Sequence, residues 1–506
     1  MLENINLLFY GFEQVFTISN VLAALIGSMI GLFVGAMPGL GALTGVSVLL
    51  PLTFGLNPTT GIILLASLYY STMYGGSFTA ILINIPGDTP AVMTTVDGYP
   101  LTKKGYPGKA LATSIFACFF GGSVGILILT VAGPLLAKVG LTLGSPELAL
   151  LILLAMTSIG WIMGDDIASG LLGTAIGLMF STIGVDMASG LNRFTFKIPN
   201  LLSGVSFVPL VIGVFGFAQV INMIVEPDQD RKTNLKLTIK DMTLTKQEFL
   251  TILPIALRNG LLGTFVGVLP GAGGTSAAFI AYIFEKRINK NGHLMGTGII
   301  EGIAAPESAN NAAAAGAFAP MLTLGIPGSG TTALLLGGLM MWGLQPGPLL
   351  FTDKPEFVWP LISSFYLGNV ICIIISFACI PLLMRAVAVP NAIMAPIIFA
   401  VCVVAAYTTN NSMFDVYFMI GVGVFSYFLK KAKISTAPLL LAFVLSPMLE
   451  KYVRQSFDMS RGNPSIFFRN WICWMFIVLF LLFCIAPAIK SAINKKRCIR
   501  LPDVLS

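Results

Sequence analysis

Glu307, Asn310 and Asn311 stand at i, i+3 and i+4 inside an almost uncharged run, residues 301–351 (EGIAAPESANNAAAAGAFAPMLTLGIPGSGTTALLLGGLMMWGLQPGPLLF). On a helix this spacing puts a carboxylate and two amides on one face. A charge left in hydrocarbon is expensive, so that face must look into protein or into a wet cavity. The same run carries Pro306, Pro320 and Pro327, which lack an amide proton, and Gly325, Gly328 and Gly330, which loosen the backbone. A helix is expected to break or kink here and to free peptide groups at membrane depth. Freed amides and a positive helix end suit a carboxylate, hydroxyls add donors, and freed carbonyls suit Na⁺. The competing reading is a polar packing knot, since the small residues 312–316 invite close helix approach.

A second segment has the same character. Asn84-Ile85-Pro86-Gly87 is followed by Asp88 and Thr89, as Gly325-Ile326-Pro327-Gly328 is followed by Ser329, Gly330, Thr331 and Thr332. The expected substrate contacts are therefore Asn84, Gly87, Asp88, Thr89, Asn310, Asn311, Gly328, Ser329, Thr331 and Thr332. Glu301 and Glu307 are the expected ion-coupling acids. The Pro-Gly turns around Pro38, Gly39, Thr44 and Gly271 are expected to join them, with hairpin carbonyls as a Na⁺ site of undetermined residues. Cations that could pair an anion are scarce at depth. Arg193, Arg258 and Arg385 border apolar stretches and read as snorkelling topology anchors rather than ligands.

Several chemistries are excluded. The only histidine is His293, in a basic loop, which leaves no His-based metal centre or triad. The seven cysteines have no C-x-x-C spacing and read as small buried hydrophobes. Residues 325–332 imitate a phosphate-binding loop, but Thr331 stands where the lysine must be, so ATP is rejected. An intramembrane enzyme using Glu301 or Glu307 as acid or base lacks a paired nucleophile or metal set. No cofactor is expected beyond Na⁺ or H⁺ as coupling ion, and no nucleic acid, because the 29 Lys and Arg are spread over short loops and the C-terminus.

These residues need a scaffold, and composition supplies its class. The chain has 506 residues, 56% hydrophobic and 10% charged, with mean hydropathy +0.88. Soluble domains carry charge at roughly a quarter of positions, so this is a polytopic all-α membrane protein. At ~20 residues per crossing, its apolar stretches amount to about ten to twelve spans. No Lys or Arg precedes Lys103, so the first segment reads as uncleaved and non-cytoplasmic. The expected organisation is a first membrane repeat (1–225), a polar cytoplasmic linker (226–248), the core of a second repeat (249–356), C-terminal scaffold helices (357–489) and a basic cytoplasmic tail (490–506). The stretch 97–109 reads as a basic, turn-rich cytoplasmic loop. Asn410, Asn411 and Asp415 read as interface or scaffold residues near a span end.

The duplication rests on two gapless matches in the same order. Residues 267–273 (GVLPGAG) match 35–41 (GAMPGLG), and 316–328 (GAFAPMLTLGIPG) match 75–87 (GGSFTAILINIPG). The loop 284–293 is basic whereas its counterpart TFGLNPTTG is uncharged, and the following pair of loops reverses the bias. Opposite sidedness predicts inverted topology, with Pro-Gly-broken re-entrant hairpins in each half. A picture in which the repeat pair moves against the C-terminal helices follows from that arrangement.

The strongest pieces, GLGALTGVSVLLPLTFGLNPTTGI, YGGSFTAILINIPGDTPAVMTTVDGYPLTKKG, RFTFKIPNLLSG, GVLPGAGGTSAAFIAYIFEK and residues 301–351, resemble the large membrane subunit of the bacterial tripartite tricarboxylate transporters (TctA family). The resemblance runs from about residue 22 to 447. Its best-preserved patterns fall on Pro38, Gly39, Gly41, Asn84, Pro86, Gly87, Pro270, Gly271, Glu301, Pro306, Glu307, Asn310, Asn311, Pro327 and Gly328. Asp88 departs from it, since glutamate is frequent there, as does Asn57, where an acid is common. The resemblance implies a multi-pass protein of the bacterial inner membrane, and the basic tail (Lys490, Lys495, Lys496, Arg497, Arg500) places the C-terminus on the cytoplasmic side by the positive-inside rule. Its partners would be a small membrane subunit and a periplasmic solute receptor, and its substrate an organic carboxylate imported on a cation gradient. A channel is the alternative, because breaker-rich re-entrant segments also build selectivity filters.

Overall fold

The computed structural model describes residues 2–37, 39–162, 167–186, 189–225, 241–387 and 390–482. Pro38, most of the linker, the basic tail, Cys484 and Cys498 lie outside them. Among the described residues the chain is almost wholly helical. In order run α1 (Leu2–Val15), α2 (Ile18–Ala36), α3 (Gly41–Leu49), α4 (Pro58–Ile83), α5 (Val92–Lys103) and α6 (Pro107–Gly140). Next come α7 (Ser145–Ile162), α8 (Ile167–Ser181) and the antiparallel pair β1 (Gly184–Val185) and β2 (Asn192–Arg193). α9 (Phe207–Val211) runs through a π-helical stretch into α10 (Ala218–Val225). The second half holds α11 (Lys246–Val268), α12 (Gly273–Ile288), α13 (Ile300–Gly316), α14 (Phe318–Leu324), α15 (Gly330–Met341) and α16 (Pro348–Asp353). α17 (Pro355–Ala378), α18 (Ile380–Val387), α19 (Asn391–Asn410), α20 (Met413–Lys431) and α21 (Ala437–Met459) complete it.

Seven of the described helical segments are long and apolar enough to cross a membrane by themselves. α2 is one of them: its 19 residues reach about 28 Å at 1.5 Å per residue, so the break at residues 37–40 ends a full span rather than dividing a half-span. Local chemistry sets the ends. Asn57 caps α4 by accepting from Thr59 N at 3.0 Å, with Pro58 behind it, and Thr245 and Glu248 cap α11 reciprocally. Two expectations change. Residues 97–103 are not loop but the C-terminal half of α5. Pro306 is accommodated inside α13, while the breaks fall at residue 317, three before Pro320, and at 325–329 around Pro327.

The chain forms two compact units, residues 1–140 with 205–431, and 141–204 with 432–506. In the second unit, Gly173 and Gly177 of α8 ride on the Ser435 and Leu439 carbonyls. Arg193 and Arg454 clamp Glu450 at 3.0 and 2.6 Å. In the first unit, small residues let helix backbones touch, the packing device available where lipid removes the hydrophobic drive. A Cβ on Gly27, Gly31 or Gly35 of α2 would come within 2.2–2.3 Å of the Leu64, Leu68 or Thr72 carbonyl of α4. Both partners advance by four residues, so α2 and α4 are parallel. Gly263 and Gly267 of α11 meet Ala309 and Ala313 of α13 in the same way.

The same register settles the relation between the halves. Gly121 and Gly125 of α6 meet Ser308 and Ala312, so α6 is parallel to α13. Against α4, however, α6 runs backwards: Tyr70 lies by Gly122, while Ser77 bonds Ser114 at 2.7 Å. The pair α2/α4 is therefore antiparallel to its counterpart α11/α13, and the duplication is inverted.

Arg258 is more than a boundary anchor. With Asn259 and Asn289 it holds the fully buried Glu285, Arg258 Nε donating to Oε2 at 2.8 Å. Asn410 donates to Asp415 at 2.7 Å and to Ser206 at 2.9 Å, an interface arrangement inside the first unit.

Candidate functional site

Each repeat ends its central helix the same way. Asn84 adopts a left-handed conformation (φ 61°), as does Gly325 (φ 70°), and the next amide reaches six residues back: Ile85 N to Thr79 O, Ile326 N to Pro320 O. The left-handed residue ends the helix, and a proline two residues on prevents it from restarting there. The following glycine must be bare. A Cβ at Gly87 would lie 2.0 Å from the Gly35 carbonyl oxygen, and one at Gly328 would lie 2.4 Å from that of Gly267. Both Asn/Gly-Ile-Pro-Gly loops thus sit on the break that follows α2 or α11. The breaks themselves match in φ: Gly39 at 86° with Gly271 at 78°, and Gly41 at 59° with Gly273 at 56°.

The residue after each loop caps the next helix. Asp88 Oδ1 accepts from Thr89 N at 2.7 Å, and its Oδ2 accepts from Ala42 N at 3.1 Å, at the start of α3. Ser329 Oγ accepts from Thr332 N at 3.2 Å, while Ser329 N donates to Thr332 Oγ1 at 2.8 Å. The helix starts after both Pro-Gly turns are therefore capped from within the chain, rather than presenting all their amides to a ligand. Thr331 is buried in the first turn of α15.

Each loop touches the opposite half. Thr89 Oγ1 lies 3.0 Å from Thr275 Oγ1 of α12, and Tyr69 Oη of α4 lies 3.2 Å from Ser329 Oγ. Within the second half, Gly273 N donates to Gly328 O at 3.2 Å. Asn84 and Thr89 are exposed at this junction, whereas Ser329, Thr332 and Asn310 are buried. Asn310 Oδ1 accepts no hydrogen bond and lies 2.2 Å from where a Cβ on Gly274 would be.

The i, i+3, i+4 trio of α13 has separate neighbours. Glu307, 1% exposed, accepts from the Thr94 hydroxyl and from the Cys118 thiol at 3.2 Å. Asn310 faces α12, and Asn311 Nδ2 returns to the Glu307 backbone carbonyl at 3.2 Å, leaving its own Oδ1 unpartnered. Glu301 is held in the first turn of α13 by Asn291 at 2.8 Å, about 13 Å along the helix from Asn310. Thr44 is buried in α3, its carbonyl accepting from Ser47 Oγ at 2.8 Å. Gly39 lies under Gln219. Among the described residues no salt bridge reaches Asp88, Glu301 or Glu307, and no three His, Cys, Asp or Glu converge on a common point.

Several residues of this region escaped the sequence reading. Tyr69 and Tyr70 are the counterparts of Asn310 and Asn311, visible by extending the gapless match six residues upstream. Thr275 follows the second Pro-Gly break by the same logic. Asp97 is the largest omission: fully buried, it accepts from Gly296, Gly298 and Ile299 amides and from the Tyr282 hydroxyl.

By sequence the chain is similar to known proteins. The model of the family described as "Tripartite tricarboxylate transporter TctA family" matches residues 21–441. An Agrobacterium vitis protein described as "Uncharacterized 52.8 kDa protein in TAR-I ttuC' 3'region" is 38% identical over 499 residues, 98% of each chain. A second from that organism, "Uncharacterized protein in TAR-II ttuC' 3'region", is 40% identical over 235 residues, 46% of this chain and 97% of its own. No solved structure gives a significant match.

Proposed function

Since the chain belongs to the TctA family of tripartite tricarboxylate transporters, we propose that this large transmembrane subunit imports an organic carboxylate, citrate-like or related, by secondary transport. A periplasmic receptor delivers the solute, a small membrane subunit completes the complex in the bacterial inner membrane, and a Na⁺ or H⁺ gradient drives uptake. The observation that carries the reading is the contact between the inverted halves at Thr89, which follows one Pro-Gly loop, and Thr275, which follows the Pro-Gly break before α12. It offers hydroxyls, carboxamides and helix starts, and among the described residues no salt bridge reaches Asp88, which suits a carboxylate accompanied by its coupling cation. Substrate contacts are assigned to the loops 84–89 and 328–332 with Asn310 and Asn311. Coupling is assigned to Glu307, Glu301 and the Pro-Gly breaks.

The test is uptake by vesicles carrying the complex, with the cognate receptor, of labelled organic acids under imposed Na⁺ or pH gradients. Saturable, receptor-dependent uptake that follows one gradient is expected, and Asn310→Ala or Asn311→Ala should abolish it while leaving the protein inserted. Near-normal uptake in both variants sinks the site assignment. Unsaturable flux indifferent to gradients favours the channel.

A further inference from the structure

The inverted repeat places two equivalent helix starts beside the loop junction, one on α3 and one on α12, and they are not chemically equivalent. At α3 the first amide after the left-handed glycine, Ala42 N, donates to the carboxylate of Asp88 at 3.1 Å. The chain itself demonstrates there that this turn accepts a carboxylate, as the helix dipole and unsatisfied first-turn amides lead one to expect. At α12 the counterpart of Ala42 is Gly274, and the counterpart of Asp88 is Ser329, which is shorter and uncharged.

A second observation singles out the α12 start. Asn310 is 2% exposed, its Oδ1 accepts no hydrogen bond, and that oxygen is aimed at Gly274, 2.2 Å from the position of a Cβ there. A buried acceptor without a donor costs on the order of 1–3 kcal/mol, which a hydroxyl of the acid or a cation bound with its carboxylate would offset. Around it stand the hydroxyls of Tyr69, Ser329, Thr275 and Thr89. The starts of the helices after the Pro-Gly loops are poorer seats, because Asp88 and Ser329 already cap them.

We propose that the start of α12, at Gly274 and Thr275 with Asn310 beside it, seats one carboxylate of the transported acid, while Asp88 permanently fills the equivalent seat on α3. This rests on the carboxylate-transport reading above and narrows it: of the two equivalent helix starts, only the one on α12 takes the substrate. The oxygen of Asn310, which faces Gly274, accepts from a hydroxyl or meets the cation that accompanies the acid, while the carboxylate itself takes the first-turn amides and hydroxyls of α12. Asp88, fixed opposite, disfavours a second substrate carboxylate at the α3 end and favours a cation there.

The test makes the α12 start like the α3 start. Ser329→Asp installs at α12 the residue that α3 already has, and aspartate remains a good helix cap, so the loop keeps its ending. Full-length complex in nanodiscs is titrated with labelled citrate and succinate, and with acetate as a single-carboxylate competitor. A tethered carboxylate competes at an effective concentration of at least about millimolar order, so Ser329→Asp should lower affinity by on the order of 100-fold. Ser329→Asn, which adds the same bulk without charge, should cost only several-fold. Binding by Ser329→Asp within threefold of wild type overturns the seat and leaves the transport reading standing. Equal losses in the Asp and Asn variants also overturn it, since charge would then not be the cause. Failure of the wild type to bind any of the three acids counts instead against the carboxylate reading beneath it.

Discussion

Asp97 allows the joint between the repeats to be tested quantitatively. It projects from α5 in the first half and holds residues 296–299, the turn that leads into α13 in the second. Oδ1 accepts from the amides of Gly296, Gly298 and Ile299 at 2.9, 2.8 and 3.1 Å, and Oδ2 accepts from the Tyr282 hydroxyl at 2.8 Å. A hydrogen bond to a charged acceptor contributes about 1.5–3 kcal/mol against roughly 0.5–1.5 for a neutral one. Asp97→Asn keeps one carbonyl oxygen for the amides and turns a donor toward Tyr282, which can accept. Its cost is the charge contribution over three amides, about 3 kcal/mol. Asp97→Ala strands the donors. Gly296 is exposed and can turn to water, but Gly298 is buried, so the cost rises to about 5 kcal/mol.

Amide exchange at these positions reads the effect directly, because local opening sets protection. At 1.4 kcal/mol per tenfold, Asp97→Asn should speed exchange in a peptide covering 296–299 by about 100-fold and Asp97→Ala by more than 1,000-fold. A peptide from the middle of α6 serves as reference and should change little. Protection within threefold of wild type in Asp97→Ala refutes the clamp. An Asn variant as damaging as the Ala variant refutes the division between charge and acceptor.

Two further outcomes follow from the same bookkeeping. Arg258→Leu leaves the fully buried Glu285 with only Asn259 and Asn289; with Arg258 itself 37% exposed, the loss falls near the low end for a broken buried pair, about 3 kcal/mol, measured as thermal inactivation of the full chain. Adding Glu285→Gln removes the stranded charge while keeping the carboxamide partners, and should recover at least half of the loss; no recovery refutes the buried-charge account. At the loops, Asn84→Gly should be neutral or stabilising by up to about 1 kcal/mol, since a non-glycine residue there sits in left-handed space. Gly87→Ala should instead impair folding and uptake, because its Cβ would enter the Gly35 carbonyl; normal behaviour of Gly87→Ala refutes the close approach.

The parts of this fold legible in the sequence are those written in local chemistry. Gly, Pro and the apolar runs announced the helices and the two Pro-Gly loops, and two gapless matches announced the repeat. The loop charges indicated the inversion that the Gly121–Ser308 and Ser77–Ser114 registers establish. What stayed hidden depends on partners distant in sequence. Asp97 looked like part of a basic loop because its four donors come from residues 282–299. Glu307, Asn310 and Asn311 looked like one cluster because spacing along a helix says which arc a residue occupies, not which neighbouring helix it meets. Pro306 looked like a break because its cost is local, whereas the packing of α13 against α6 and α11 that tolerates it is not.

The inverted duplication also explains why sequence matching finds the site's frame before its chemistry. Backbone requirements are shared by both copies: left-handed residues at 84 and 325, and bare glycines at 87 and 328. The side chains around the proposed site are where the copies diverge, Tyr69 and Tyr70 against Asn310 and Asn311, Asp88 against Ser329. A symmetric frame would offer an asymmetric solute two equal poses and the coupling ion no preferred end. Placing an internal carboxylate at α3 and a carboxamide oxygen without a hydrogen bond at α12 breaks that degeneracy, so the positions where the repeats disagree are the ones to mutate when substrate choice is the question.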